Sequence, residues 1–574
     1  MEQLMSYAMT TSKYALILLS AAILIRCIRS MLNERYEPEL WGYIRRGRDM
    51  LPIYHWENTI GRSRSSDIRI DMPNISRVHA VLSRTDKGAW VLYDIFSKGG
   101  VWVNGVKVGI NGVMLRSGDV LNFGGTTARF IPITTEQRET LEGKRTVAGH
   151  GVSPALTLVY LTLFELFLML EHVFTAQSEH AADIALAFAG LICVEWLCYS
   201  TMRFLDKSGF EVETLAFYLS ALGMSVAASS TPEDMYKQLL LTITGVVLFW
   251  LCGLWLRNLR RTSMMRVPVG VLALALLAVN VATSDAVFGA RNWLEFAGYS
   301  FQPSEFVKPL YIYVGASTLD KLYRTRNLYG FIGFSAACVV ALALIGDFGT
   351  ALIFFICFLV ISFMRSGSIA TVLLAVSGAG LAGFLAVSVK PYIAQRFATW
   401  GHVWEDIYDK GFQQTRALSA AASGGLFGKG AGAGWLETIF AANTDMVFAM
   451  ICEELGLIIG ILMMLAVLVL AFFAVRSVRR SRSAYHSIAA CAAVTMLLVQ
   501  LALNVFGSLD ILPFTGVTFP FVSRGGSSML ACWMMMAFIK SEDNRKNASF
   551  AVNAVRQIVE PEDYGEDEDM EDDE

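Results

Sequence analysis

Charge is scarce in this chain: Asp, Glu, Lys and Arg together make 17% of its 574 residues, whereas 54% are hydrophobic, with 36 Phe and 24 Met. That balance excludes an ordinary soluble globule and puts most of the chain in lipid. No C-x-x-C pair occurs among the nine cysteines (Cys27, Cys193, Cys198, Cys252, Cys338, Cys357, Cys452, Cys491 and Cys532), an odd number lying in or beside apolar runs. Neither a disulfide framework nor a zinc site is therefore expected, and they read as buried packing residues. No small-residue cleavage site follows the first apolar run, 14–25, which is flanked by Arg26, Arg29 and Arg35 and then by Arg45, Arg46 and Arg48. Residues 1–30 read as a retained membrane anchor. The formal net charge of -3 says nothing by itself, because basic clusters occupy short loops while 560–574 is a run of acids.

From 52 to 132 the hydropathy collapses into alternating, strand-like stretches punctuated by Gly and Asn-Gly, which predicts a small soluble all-β sandwich. A polar linker, 133–153, follows. Apolar runs then recur at 156–174, 184–202, 215–228, 239–256, 267–283, 306–319, 331–345, 350–364, 370–389, 447–475, 488–506 and 527–539. With the anchor they make about thirteen helices, and 154–541 reads as a multi-pass α-helical membrane domain. The basic loops 257–261, 321–326, 476–482 and 540–546 share one face with the β domain if the helices alternate, and by the positive-inside rule that face is cytoplasmic. The acidic tail, 542–574, is expected there as a solvated, disordered segment.

Four short pieces lie in order in the β domain: Gly61-Arg62, Ser76-Arg77-Val78-His79, Asp94-x-x-Ser97-x-x-Gly100 and Val103-Asn104-Gly105. The arginines and hydroxyl among them are donors that suit a phosphate. In their joint spacing the pieces resemble a forkhead-associated (FHA) domain over about eighty residues. The resemblance implies a phosphothreonine reader using Arg62, Ser76, Arg77, His79 and Asn104, with a phosphothreonine protein or a Ser/Thr kinase as partner. Lys98-Gly99 stands where the family has a Thr-Asn pair against the peptide backbone, so a changed peptide preference is expected.

In the membrane domain, Asp445 stands where a water-facing loop, Asn443-Thr444-Asp445, enters an apolar run. A carboxylate there is costly, and it is well placed to meet a substrate whose polar head stays in water while its tail stays in the bilayer. Capping of the following helix is the bland alternative, and the two roles are compatible. Glu305 and Lys308, three residues apart on one helix, share a face and can pair. The Gly-rich stretch 424–434 lacks the strand and the Gly-Lys-Ser/Thr ending of a phosphate cradle and reads as a flexible outer loop.

Six segments recur in the order of one family: Gly289-Ala290-Arg291-x-Trp293-Leu294; Phe301-Gln302-Pro303-Ser304-Glu305-Phe306-x-Lys308; Gly346-Asp347-Phe348-Gly349-Thr350; Gly424 to Gly430; the Asp445 segment; and Pro513-x-x-Gly516-x-x-x-Pro520-Phe521-x-Ser523-x-Gly525-Gly526-Ser527. Together they resemble the SEDS family of RodA, FtsW and SpoVE. The resemblance implies an inverting peptidoglycan glycosyltransferase that polymerises lipid II outside the membrane, in which Asp445 takes the place of the catalytic aspartate.

The acceptor's 4-hydroxyl must lose its proton as it attacks the anomeric carbon, and Asp445 is the candidate base; partial withdrawal from water would raise its pKa to suit. Charge on the undecaprenyl pyrophosphate leaving group needs cations, from Lys308, Arg291, Arg396 or a divalent metal such as Mg or Mn. Glu305, Lys308 and Asp347 match positions lining a polar cavity. Trp293 matches a functionally sensitive tryptophan, an aromatic at the lipid interface being its other reading. The chain departs from the family at Asn443, where His is common, and at Arg524, where Tyr is usual.

A class B penicillin-binding protein with transpeptidase activity is the partner implied, alongside lipid II and the bacterial cytoplasmic membrane; no nucleic acid is expected. A lipid II flippase and an FHA-bearing scaffold of a wall-synthesis complex are the competing readings. Against the first, no inverted internal repeat is visible.

Overall fold

The computed structural model describes residues 2–33, 39–64, 66–85, 88–109, 111–145, 147–175, 180–284, 293–296, 299–319, 325–366, 369–389, 391–478 and 481–550. The chain divides into two compact units, one of Met1–Glu37 with Thr146–Ala551 and one of Pro38–Arg145 with Val552–Glu574.

The chain begins with helix α1 (Glu2–Asn33), apolar enough from Met9 to Leu32 to cross a membrane. The small unit then forms two sheets. Strands β1 (Gly42–Arg46), β2 (Asp49–Ile53), β7 (Val101–Val103), β8 (Val106–Lys107), β10 (Val120–Phe123) and β11 (Thr126–Pro132) build one, in the order β2-β1-β11-β10-β7-β8. Strands β3 (Glu57–Gly61), β4 (Ile68–Arg69), β5 (Ala80–Arg84), β6 (Trp90–Asp94) and β9 (Val113–Leu115) build the other, in the order β4-β3-β5-β6-β9. The period-two alternation places Ile44, Ile60, Leu82, Leu92, Leu121, Phe123 and Phe130 in the core between them.

The β1–β2 hairpin, which pairs with β11, moves the start of this domain ahead of the expected residue 52. The expected linker 133–153 is also partly helical: α2 (Thr135–Lys144) opens on a capping box between Thr134 and Gln137, and its Arg138 stacks 4.6 Å over the Trp41 ring.

The membrane unit continues with α3 (Pro154–Thr175), α4 (Ala181–Phe204), α5 (Glu211–Ser230), α6 (Met235–Trp255), α7 (Leu259–Thr283), a hairpin of β12 (Leu294–Phe296) and β13 (Tyr299–Phe301), α8 (Pro303–Leu319), α9 (Thr325–Ile345), α10 (Phe348–Ser366) and α11 (Ile369–Val389). Four short helices follow: α12 (Pro391–Thr399), α13 (Phe412–Gly424), α14 (Ala442–Asp445) and α15 (Val447–Glu454). The chain ends with α16 (Leu457–Val478), α17 (Ala484–Ser508) and α18 (Gly526–Ser541).

Every expected span falls on a helix, yet among the described residues nine helices are long and apolar enough to cross a membrane, with a shorter apolar stretch at Phe348–Met364. The expected count of about thirteen is not reached on that measure. The run 447–475 is two helices, broken at Gly456, whose φ of +93° and close approach to the Leu426 carbonyl no other residue would tolerate.

Helix α5 sits at the centre and is buried on nearly all sides, packed by α1, α3, α6, α16 and α18. Its small residues permit this: a side chain at Gly223 would lie 2.5 Å from the Phe521 carbonyl oxygen. Within the stretch expected as a solvated tail, Glu542, Asp543 and Arg545 are buried, and 551–574 lie outside the described residues. Arg545 pairs with Glu211 at 2.9 Å and Asp543 at 2.7 Å, and Phe550 packs on Phe249 and Trp250.

Candidate active site

Asp445 closes the four-residue α14, which is entered through Ala441 in left-handed backbone (φ 60°). Its amide donates to the Ala441 carbonyl at 2.9 Å, and Met446, not Asp445, holds the N-cap position of α15, with no side-chain cap. The capping alternative is therefore not the reason an acid stands here. The carboxylate instead turns toward the segment between α17 and α18, where a methyl group on Gly516 would lie 3.1 Å from Oδ2.

Asn504 of α17 fixes both partners, donating from Nδ2 to the Asp445 carbonyl at 3.1 Å and to the Val517 carbonyl at 2.8 Å. Ser523 Oγ donates to the Thr444 carbonyl at 2.5 Å, and the Arg524 amide to the Asn443 carbonyl at 2.8 Å. Burial pushes the Asp445 carboxyl up to about 6; Thr444 and the Arg396 guanidinium hold it down, while Asp347 adds a smaller upward push.

Asp347, just before α10, caps that helix by accepting from the Thr350 amide at 2.9 Å, and its second oxygen accepts from Gln302 Nε2 at 3.3 Å. Burial raises its pKa. Glu305 and Lys308 on α8 are buried and paired at 2.6 Å, and both act electrostatically on Asp347. Glu305 and Lys308 thus act on Asp347, and Asp347 on Asp445, through charge alone.

Arg396 on α12 is exposed and donates to the Phe514 and Thr515 carbonyls at 3.2 and 3.4 Å, directly before Gly516. Trp293 is 45% exposed and joins none of these groups among the described residues; Arg291 lies outside them. An alcohol presented to Asp445 would meet a base of suitable pKa with cationic groups nearby, which is the equipment of general-base attack on a centre with an anionic leaving group.

Several positioning groups were not singled out from sequence. Asn504 is an amide within an apolar helix, and Glu453 and Glu454 are adjacent acids in an apolar run, both signals of buried polar work. Glu453 accepts from Lys429 at 2.6 Å and from the Trp435 and Leu436 amides; Glu454 accepts from Ser229 at 2.6 Å and the Gly432 amide at 3.0 Å. The Gly-rich loop, expected to be flexible, is thus tied to α15. Its glycines serve close approach: a side chain at Gly424 would meet the Cys452 carbonyl oxygen at 2.0 Å.

The two departures from the family pattern also have partners. Arg524 pairs with Asp234, and Asn443 donates to Ser230 Oγ at 3.2 Å.

In the β unit, the Arg62 amide donates to the Ser76 carbonyl and the Ser63 amide to the Arg77 carbonyl, each at 3.0 Å, bringing Arg62, Ser76 and Arg77 onto one rim. Buried His79 braces it: Nδ1 accepts from the Ser76 amide at 3.0 Å, and Nε2 lies 2.9 Å from the Gly100 carbonyl oxygen. The side chains of Arg62, Arg77 and Lys98 are exposed, and Ser76 Oγ accepts from the Lys98 amide at 3.2 Å. Asn104 is occupied internally, donating to Asp119 at 2.9 Å and accepting from the Val120 amide at 2.9 Å, so it shapes the turn.

Comparison with known proteins shows what each part of the chain is similar to. Residues 58–124 match the FHA domain, and residues 213–547 match the FtsW/RodA/SpoVE family described as cell cycle protein. The peptidoglycan glycosyltransferase RodA of Mycobacterium tuberculosis is 28% identical over 324 residues, 53% of this chain and 69% of that protein. Stage V sporulation protein E of Bacillus subtilis is 32% identical over 261 residues, 43% of this chain and 69% of its own length. A chain from a peptidoglycan synthase complex superposes with a TM-score of 0.49 at 25% identity, covering 57% of this chain and 96% of that one. With more than half of its residues inside that pattern, the chain is an integral membrane member of the FtsW/RodA/SpoVE family that carries an FHA domain ahead of the family's helices.

Proposed function

We propose that this protein is a peptidoglycan glycosyltransferase that polymerises lipid II, with Asp445 as the general base. The observation that carries the reading is the placement of a half-buried carboxylate against Gly516, its pKa raised to about 6 by withdrawal from water, and held between Asn504 and the Arg396-bound segment. Asp445 takes the proton of the acceptor's 4-hydroxyl as the new C–O bond forms and the bond to undecaprenyl pyrophosphate breaks, inverting the anomeric centre. Arg396, with Lys308 deeper in the helices, offsets charge on the leaving group. Neither a flippase nor a scaffold gives a base at this position a use.

Among the described residues no group of three or more His, Cys, Asp or Glu could hold a metal. A Mg or Mn ion would therefore be shared between one or two site carboxylates and the substrate's own phosphates, where it would neutralise leaving-group charge. Asp445 and its loop face the outside of the cytoplasmic membrane, and the FHA domain and C-terminus face the cytoplasm, as the basic loops favour. The FHA rim reads a phosphothreonine protein or a Ser/Thr kinase, and a class B penicillin-binding protein supplies the cross-linking.

Purified protein, with and without that partner, should convert lipid II into glycan polymer; an inactive pair would sink the reading. Cysteines placed singly at exposed Met114 and Ser423, in a background free of native cysteines, test orientation. In intact cells an impermeant thiol reagent should label the second and not the first, and the reverse pattern would overturn the topology.

A further inference from the structure

Helices α1, α3 and α4 precede residue 213, where the family match begins, and two of them reach the Gly-rich loop ahead of Asp445. Lys13 Nζ of α1 donates to the Gly428 carbonyl at 2.9 Å, and the Tyr14 ring meets the Phe427 ring edge-on at 5.3 Å. On α3, buried Glu171 accepts from the Ala431 amide at 3.1 Å, while Thr175 Oγ donates to the Ala431 carbonyl at 2.7 Å. Gly432, at φ +70°, lies so close that a methyl group there would be 3.1 Å from Thr175 Oγ. The next residue of α3, His172, is bonded to Ser225 of α5 at 2.8 Å, which fixes the helix that does the holding.

On its other side the same loop is held by Glu453 and Glu454 at the end of α15, whose first residue stands two after Asp445. The loop therefore lies clamped between the accessory helices and the short helix that leads back to the base. It needs clamping, because six of the eleven residues 424–434 are glycine and impose little conformation of their own. Glu171 and the Ala431 it holds are both buried, so losing this hydrogen bond would leave the Ala431 amide unpaired.

We propose that Lys13, Glu171 and Thr175 are positioning residues for glycosyl transfer: α1 and α3 hold the loop 427–432, and through α15 set the placement of Asp445. This rests on Asp445 being the base, so the test joins a readout of the loop to one of the reaction. In full-length protein in nanodiscs, Glu171→Ala/Thr175→Val should raise amide hydrogen exchange across 427–432 and lower kcat for lipid II polymerisation about tenfold, the scale of a displaced catalytic group, with KM little changed. Lys13→Met, which removes the donor to the Gly428 carbonyl, should act the same way more weakly. Glu171→Gln keeps an acceptor for the Ala431 amide and should restore most of kcat.

Water admitted by the loosened loop should also move the acidic limb of the rate profile to lower pH in the double variant, which global destabilisation would not do. Unchanged exchange in both variants would show that the helices do not hold the loop. Raised exchange with parental kcat would show that the loop does not position the base; either result overturns the proposal. A parental protein that fails to polymerise lipid II would remove the catalytic reading itself, with the exchange data still reporting whether the clamp exists.

Discussion

Asp445 and Gly516 face one another so closely that a methyl group on the glycine would stand 3.1 Å from the aspartate Oδ2, and the glycine's φ of +69° belongs to left-handed backbone. Any side chain at Gly516 would both strain the turn, by about 1–2 kcal/mol, and crowd the oxygen that must reach the acceptor. Gly516→Ala should therefore lower kcat at least about tenfold while shifting the melting temperature by only a few degrees. Parental turnover in a purified lipid II assay would show that this contact is irrelevant to the chemistry.

The pH dependence follows from the burial of the base. The carboxyl titrates at about 6 and is useful only when ionised, so kcat/KM should rise with pH through about 6 and level off above it. Arg396 lowers that value, so Arg396→Gln should move the limb upward. Because the folded pKa lies above the ordinary 3.8, the stability this group contributes is complete below 3.8 and is lost as pH rises through about 6. A limb near 4 in the parental protein would contradict the assigned burial.

Glu305→Ala tests the buried pair. Lys308 is fully buried and bonded to Glu305 at 2.6 Å, so truncating the acid strands a cation among the helices, at a cost of about 3–5 kcal/mol. Stability and activity should fall together, whereas Glu305→Ala/Lys308→Met should recover much of the stability. A single variant with normal melting in detergent would mean that the pair is dispensable.

For the FHA domain, the rim predicts phosphate-dependent binding through Arg62, Ser76 and Arg77. Losing a hydrogen bond from a charged group costs about 1.5–3 kcal/mol, so Arg62→Ala should weaken phosphothreonine peptide binding more than tenfold. The isolated domain should begin before β1, since the hairpin it forms is part of the sheet. Titration calorimetry showing equal affinity for phosphorylated and unphosphorylated peptides would reduce the domain to a structural module.

Much of this was legible in sequence because the signals are local. Apolar runs located the long helices among the described residues, and the spacing of Gly61-Arg62, Ser76-Arg77 and His79 picked out residues that the fold brings onto one rim. What was not legible depends on residues far apart in the chain. Nothing local shows that Asn504 holds the carbonyls of Asp445 and Val517, or that Arg545 returns to pair with Glu211, so 542–550 read as part of a solvated tail. Likewise the glycines of 424–434 look permissive in isolation; only their approach to Cys452 and Gly456 shows that they serve packing. Asn104 erred in the same direction, since a side chain apparently free for a ligand is spent on Asp119 and Val120.

The most direct test is the rate of lipid II polymerisation by Asp445→Asn in purified, correctly folded protein. Asparagine keeps the size of the side chain and removes only its basicity, and at neutral pH it relieves a buried charge, so folding should be at least as stable as in the parent. The account predicts a loss of about 10²–10⁴-fold in kcat with lipid II still bound. Polymerisation at the parental rate would contradict it, because an amide in place of the carboxylate cannot take the proton.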